Sequence, residues 1–197
     1  MTKSKQRTFH QSELLAWRTL IDHNITELPV DLFQILKNEA IPLHSFTTFK
    51  QASTKCRLYD KILSTDGFAV RSKGKFAIFL NPAVSSLQRQ RFTIAHELGH
   101  ILLGHLSNKT CTQDIIGEKE WQANVFASRL LAPNYILKKM EITNPKSIAE
   151  ICDISLLAAT QKTQQLYTEH LRNPKGLEHL LLDQFHDFIK TTKKNFL

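Results

Sequence analysis

Residues 96 to 100, His-Glu-Leu-Gly-His, constrain this chain more than any other stretch. They sit between Phe92-Thr93-Ile94-Ala95 and Ile101-Leu102-Leu103. On an α-helix His96 and His100 are one turn apart, about 40° around the axis, so both imidazoles leave the same face. Two imidazoles so placed can share one zinc ion, and Glu97 between them is angled to reach a water on that ion. Zinc lowers the pKa of such a water toward about 7 and polarises a carbonyl, while the carboxylate shuttles the proton. The motif therefore demands a helix here, and a second segment that returns to it with a third ligand.

Three places could supply that ligand. A metzincin-type extension needs Gly three residues and His six residues after His100; those positions hold Leu103 and Leu106. His105 lies five residues past His100, about 140° around a continued helix and facing away, and it follows Gly104, a natural helix stop. It reads as a helix-end histidine near the negative pole of the dipole. The third place is the segment Glu118 to Ala127, which starts a second helix about twenty residues later, room enough for a loop and an antiparallel return. There Glu120 and Asn124 share one face at i and i+4, so Glu120 can take the metal while Asn124 supports the site from behind. Glu118 points elsewhere and reads as a first-turn carboxylate favoured by the macrodipole, a role open to Glu120 as well.

Set side by side, Arg91-Phe92-Thr93-Ile94-Ala95-His96-Glu97-Leu98-Gly99-His100, Glu120-Trp121-Gln122-Ala123-Asn124-Val125-Phe126-Ala127 and Leu130-Leu131-Ala132-Pro133 form a pattern. It resembles the ImmA/IrrE family of metallopeptidases, over roughly residues 25 to 170, and its two central motifs are highly specific when found together. The resemblance implies that His96, His100 and Glu120 are zinc ligands and that Glu97 is the general base. It also implies a transcriptional repressor as substrate. The sequence departs from the family at Ala132, often Met, and at Gln122, often Glu; neither departure is expected to touch the chemistry.

The 197 residues suffice for one good core with a small helical extension, which we divide as a metallopeptidase-like part with N-terminal helices, 1–140, and a helical C-terminal extension, 141–197. Cys56, Cys111 and Cys152 are odd in number, widely spaced and free of any C-x-x-C pair, so they read as reduced thiols of a cytosolic protein. No apolar stretch approaches the roughly eighteen residues of a membrane span, and the basic N-terminus lacks an apolar region after it. These features lead to the expectation of a cytoplasmic protein with an intracellular substrate. The net charge of +8 draws on Lys50, Lys55, Arg57, Lys61, Arg71, Lys73 and Lys75, and on Lys190, Lys193 and Lys194. No RNA-binding signature accompanies them, so a solvated basic surface is the reading, with direct nucleic-acid binding disfavoured.

The fold class expected is α+β: a small antiparallel sheet packed on a long zinc-binding helix, followed by a mostly helical C-terminal part. Ser12 reads as the cap of a first helix, and Pro29 as the opening of a second, Asp31 to Asn38. Residues 41 to 46 suit a short edge strand, and 48 to 64 lean toward helix. Gly67 to Val70 and Phe76 to Leu80, around Ser72-Lys73-Gly74, signal a hairpin. The strand at Phe76 to Leu80 is expected to border the cleft, where a sheet edge could pair with an extended substrate. Ser85 or Ser86 caps the zinc helix. Residues 147 to 166 have a helix-turn-helix rhythm, but Asp153 stands where the turn often has Gly and the second helix offers Lys162 as its sole cation, so a helical buttress is preferred to DNA reading. Leu177 to Ile189 reads as a final amphipathic helix.

The leading expectation is a zinc-dependent endopeptidase with one Zn2+, acting on an intracellular protein. A second electrophile is usual in such sites, and Tyr135, His44 and His105 are candidates. The rival is a non-proteolytic regulatory binding protein, with a DNA or protein partner, that retains a metal site; the intact set of His96, Glu97, His100 and Glu120 speaks against it.

Overall fold

The computed structural model describes residues 3–47, 65–106, 117–168 and 174–196. The fold is α+β, as expected. Helix α1 (Lys3–Asp22) and the short α2 (Leu32–Asn38) precede strand β1 (Leu43–Ser45) and the hairpin β2 (Gly67–Ser72) and β3 (Lys75–Leu80). Then come α3 (Leu87–Leu102) and α4 (Glu118–Leu131), the two helices that carry the motifs. The remainder is helical: α5 (Asn134–Met140), α6 (Pro145–Cys152), α7 (Leu156–Thr168), α8 (Leu177–Gln184) and α9 (His186–Phe196). No helix among the described residues is long and apolar enough to cross a membrane.

The hairpin turns at Lys73 and Gly74, both at positive φ (50° and 78°), the geometry that lets a two-residue turn match the twist of its strands. Strand order is β1-β3-β2. The hairpin is antiparallel and β1 adds parallel to β3, Leu43 opposite Ile78, so the sheet is mixed. This order corrects the expectation for Phe76–Leu80. That strand is central, and β2 is the one at the sheet margin whose Gly67 lines the cleft. The run of apolar residues in β3 reflects neighbours on both sides, since Ile78 and Phe79 are buried.

Ser12 does not cap α1. It lies within a helix that starts at Lys3, and its hydroxyl donates to the Thr8 carbonyl at 3.2 Å. Packing extends the helix upstream: the Phe9 ring stands 6.0 Å from Trp121 and lies under the Arg129 guanidinium at 5.1 Å. Pro29 does not open α2, which begins at Leu32; Asp31, expected as its first residue, caps it from outside by accepting from the Gln34 amide at 3.0 Å, and Ser86, one of the two serines expected, caps α3 through the Arg89 amide.

The core lies where α1, α3 and α4 meet. Trp17 and Leu20 of α1, Leu98 of α3, and Phe126, Leu130 and Leu131 of α4 are almost wholly buried there. Gly99 allows α3 to approach α4 closely, since a Cβ at that position would meet the Phe126 ring at 2.8 Å. A buried ion pair, Arg129 Nε to Glu13 at 3.0 Å, joins α4 to α1.

The C-terminal helices pack against this body. Asp153, left-handed at φ 48°, makes the turn between α6 and α7 without a glycine. Its carboxylate forms an ion pair with Arg91, 3.2 Å from Nε, and accepts from Gln88 Nε2 at 3.0 Å, so the turn is held on the first turns of α3. The hydroxyl of Ser155 accepts from the Ala158 amide at the start of α7. Lys162 is buried and donates to Ser128 Oγ at 3.1 Å and to Asn134 Oδ1 at 3.0 Å. The segment after residue 176 is two helices, not one, because it breaks at Phe185, which buries completely along with Leu181. The helix expected over 48 to 64, Lys50, Lys55, Arg57, Lys61, and Cys56 and Cys111 lie outside the described residues. Cys152 is a buried free thiol, its pKa pushed up to about 12 by that burial.

Candidate metal centre

Helices α3 and α4 run antiparallel, since His96 meets Asn124 while His100 meets Glu120 one turn further on. This pairing brings together side chains that lie twenty or more residues apart in sequence. His96 Nε2 and His100 Nε2 stand 3.0 Å apart. Glu120 presents one oxygen to each, Oε2 to His96 Nε2 and Oε1 to His100 Nε2, both at 3.3 Å. One donor atom from each residue falls within a common 4.8 Å. Ligands about 2.0–2.1 Å from a tetrahedral ion stand about 3.3 Å from each other, so the donor set and its spacing fit a metal ion held by two imidazoles and a carboxylate.

The other ring nitrogens are engaged as well. His96 Nδ1 lies 3.0 Å from Asn124 Oδ1. An amide oxygen accepts, so His96 carries its proton on Nδ1 and leaves the Nε2 lone pair for the site. Asn124 thus supports His96, across the helix pair, rather than its own i−4 neighbour Glu120. His100 Nδ1 is 3.1 Å from His105 Nδ1, and His105 Nε2 is 2.9 Å from Gln122 Oε1. Gln122 accepting from His105 Nε2–H leaves His105 Nδ1 as acceptor for His100 Nδ1–H. The chain of bonds has one consistent polarity, and it too exposes an Nε2 lone pair.

His105 therefore does not face away, because the helix does not continue to it. Gly104 turns left-handed at φ 69°, its amide donating to the Ile101 carbonyl at 3.0 Å, and the His105 amide reaches back to the His100 carbonyl at 3.0 Å. This is the double-bonded helix end in which the second residue past the terminus folds onto the last turn. The Gly-His pair at 104 and 105 was the available signal. Gln122, one of the two departures from the family pattern, thus lies next to the site through His105.

Burial sets the electrostatics. His100 is fully enclosed, and desolvation, with His96 nearby, lowers its pKa to about 3, so at neutral pH it is uncharged and able to coordinate. For His96 burial works in the same direction but is outweighed by the Glu120 hydrogen bond and the Glu97 charge, which raise its pKa. Glu120 loses to burial and gains more from His96 and His100, so its pKa falls and it stays a carboxylate. Glu97 is buried, 4% exposed, and lines the same cleft as His96, Glu120 and Asn124, with Asp66, Gly67, Phe92 and Thr93 as further walls. Asp66 at the rim is held by both Nε and Nη2 of Arg89.

Glu118 is exposed and lies outside this cluster. The candidate electrophiles do not line the cleft either. Tyr135 is buried edge-on against Trp17, with ring centres 5.2 Å apart, and His44 lies against Phe79 on the far side of the sheet. His105 sits behind His100.

A buried glutamate beside two histidines and a second glutamate, on two antiparallel helices, defines a metallopeptidase-type site. The family model Peptidase_M78, described as the IrrE N-terminal-like domain, matches residues 58–161, slightly more than half of the chain. The protein belongs to that family. A comparison with curated proteins gives no match.

Proposed function

We propose that this protein is a zinc-dependent endopeptidase in which His96, His100 and Glu120 hold one Zn2+ and Glu97 is the catalytic base. The observation that carries the reading is the convergence of two imidazole lone pairs and a carboxylate within 4.8 Å, with Glu97 buried in the same cleft. A bound zinc ion would supply an acidified water and Lewis acidity at the scissile carbonyl. Glu97 takes the proton of the attacking water and passes it to the departing amine nitrogen. His100, neutral at physiological pH, and Glu120, ionised, give the ion its charge-matched ligands. Asn124 fixes His96 in the coordinating tautomer from behind.

The substrate in this reading is an intracellular protein, a DNA-binding transcriptional repressor whose cleavage switches on gene expression, met in the cytoplasm. That choice rests on family membership. Residues 1–140 carry the chemistry and 141–197 act as an extension that buttresses α3 through Asp153. Glu97→Gln tests the whole: it preserves shape but cannot accept a proton at neutral pH, so bound zinc should persist while cleavage of the repressor falls by about 10² or more. Full biological activity in that variant would replace the peptidase by a protein that acts through contact alone.

A further inference from the structure

Beside the metal cleft lies a second cavity of about 350 Å³, and the two share Phe92 and Asn124 as a wall. Its size falls at the lower end of the range for small-ligand pockets. It is lined by Phe9 of α1, by Trp121, Val125 and Leu131 of α4 with Ala132 just past that helix, by Ile154 in the turn before α7 and by Ala158 within α7. The cations in its wall are committed inward. Lys162 donates to Ser128 and Asn134, and Arg129 is paired with Glu13 and lies over the Phe9 ring. The rest of the lining is apolar surface with the Ser128 hydroxyl and the amides of Asn124, Gln161 and Gln165.

We propose that this cavity is the specificity pocket of the peptidase, taking one bulky apolar side chain (Leu, Met or Phe) of the polypeptide lying across the metal cleft. The inference rests on the metal site proposed above and names what that site selects. Its position carries it. Asn124 touches His96 with its oxygen and lines the pocket with its side chain, and Phe92 stands 6.2 Å, ring to ring, from His96. A chain whose carbonyl meets the Glu97 cleft thus has this pocket as the adjoining receptacle for a neighbouring side chain. A charged side chain would lose its hydration there without meeting an available counter-charge, whereas an apolar one gains by leaving water. The pocket is built from both motif helices and from α7, so the C-terminal helices contribute to selection of substrate.

The test uses the zinc-loaded full chain and peptide hydroxamates, whose head group binds zinc, differing at one side chain: Gly, Leu, Phe, Asp or Lys. The Leu and Phe compounds should bind about 10- to 100-fold more tightly than the Gly compound by calorimetry, the gain of burying one large apolar side chain. Gln161→Trp, on an exposed pocket margin, and Ala158→Leu, on the α7 wall, should each bring the Leu-to-Gly ratio toward one. Tight binding of all compounds without side-chain preference would overturn the pocket and leave the peptidase reading standing. Failure of every compound to bind would remove the metal site and the pocket together. A preference unmoved by both variants would place selection elsewhere and overturn the proposal. So would a dimer that Gln161→Trp dissociates with the ratio unmoved, since the cavity would then hold a second copy.

Discussion

Gly99→Ala isolates the contribution of helix spacing to the metal site. The new Cβ would sit 2.8 Å from the Phe126 ring, which is fully buried. Ordinary contact begins near 3.4 Å, so α3 and α4 must separate by about 0.6 Å or the ring must leave its rotamer, an overpacking cost of about 1–3 kcal/mol. Alanine returns about 1 kcal/mol through helix propensity. The net loss of stability is therefore small, about 0–2 kcal/mol, or a drop in Tm of at most roughly 8 °C for a chain of this size. The metal site is less forgiving. Coordination distances tolerate about 0.2 Å, and the separation moves Glu120 on α4 away from His96 and His100 on α3. Zinc affinity should fall about 10- to 100-fold, as when an outer partner of a ligand is removed. Competition with a chromophoric chelator reads the affinity and differential scanning calorimetry the stability. Phe126→Leu in the same chain should restore much of the affinity, giving a coupling energy in the double-mutant cycle. Wild-type affinity in Gly99→Ala, or losses that add independently with Phe126→Leu, would refute the argument that this contact sets the ligand spacing.

Glu120→Ala should weaken zinc binding severely and Glu118→Ala leave it near normal, as read by metal content after dialysis; the reverse order would reassign the third ligand. His105→Ala should cost zinc affinity about 10-fold or more, and Gln122→Ala somewhat less, while nitrogen NMR of His100 should show loss of the Nδ1–H tautomer in His105→Ala. Unchanged affinity and tautomer would mean that burial alone orients His100. For the metal-free protein, His100 is depressed to about 3 in the folded state, against about 6.5 when unfolded. The unfolded chain binds the extra proton, so stability should fall as pH drops from about 6.5 toward about 3, by up to about 1.4 kcal/mol per pH unit from this group. Urea titrations across that window should show a shallower pH dependence for His100→Gln; equal slopes would contradict the neutral burial of this ring.

Much of the site was legible because its geometry is local. The i, i+4 rule places His96 and His100 on one face, and the return of a second helix brings Glu120 to them. The cap at Ser86, the hairpin turn at Lys73-Gly74 and the two-helix rhythm around Asp153 are likewise encoded within a few residues. What was not legible depends on contacts between distant segments. A helical wheel cannot place His105, because Gly104 ends the wheel and folds the chain back. Ser12 looks like a cap until the packing of Phe9 on Trp121 draws the helix further upstream. The central position of β3 follows from β1 joining it in parallel, a pairing across more than thirty residues that no turn signal announces.

The amide of Gln184 on α8 donates to the Leu20 carbonyl at 2.9 Å and the Ile25 carbonyl at 2.6 Å, at the far end of α1 and just beyond it. The first of these bonds joins residues 164 positions apart. At about 5–20 residues per second, a ribosome needs roughly 10 to 30 s to make that intervening chain. The end of α1 has local partners from the start, since the Ile25 amide donates to the Leu20 carbonyl at 2.9 Å, but the second donor from α8 arrives only after that interval. The α8 side of the core, with Leu181 and Phe185, can therefore close on the end of α1 only late in synthesis.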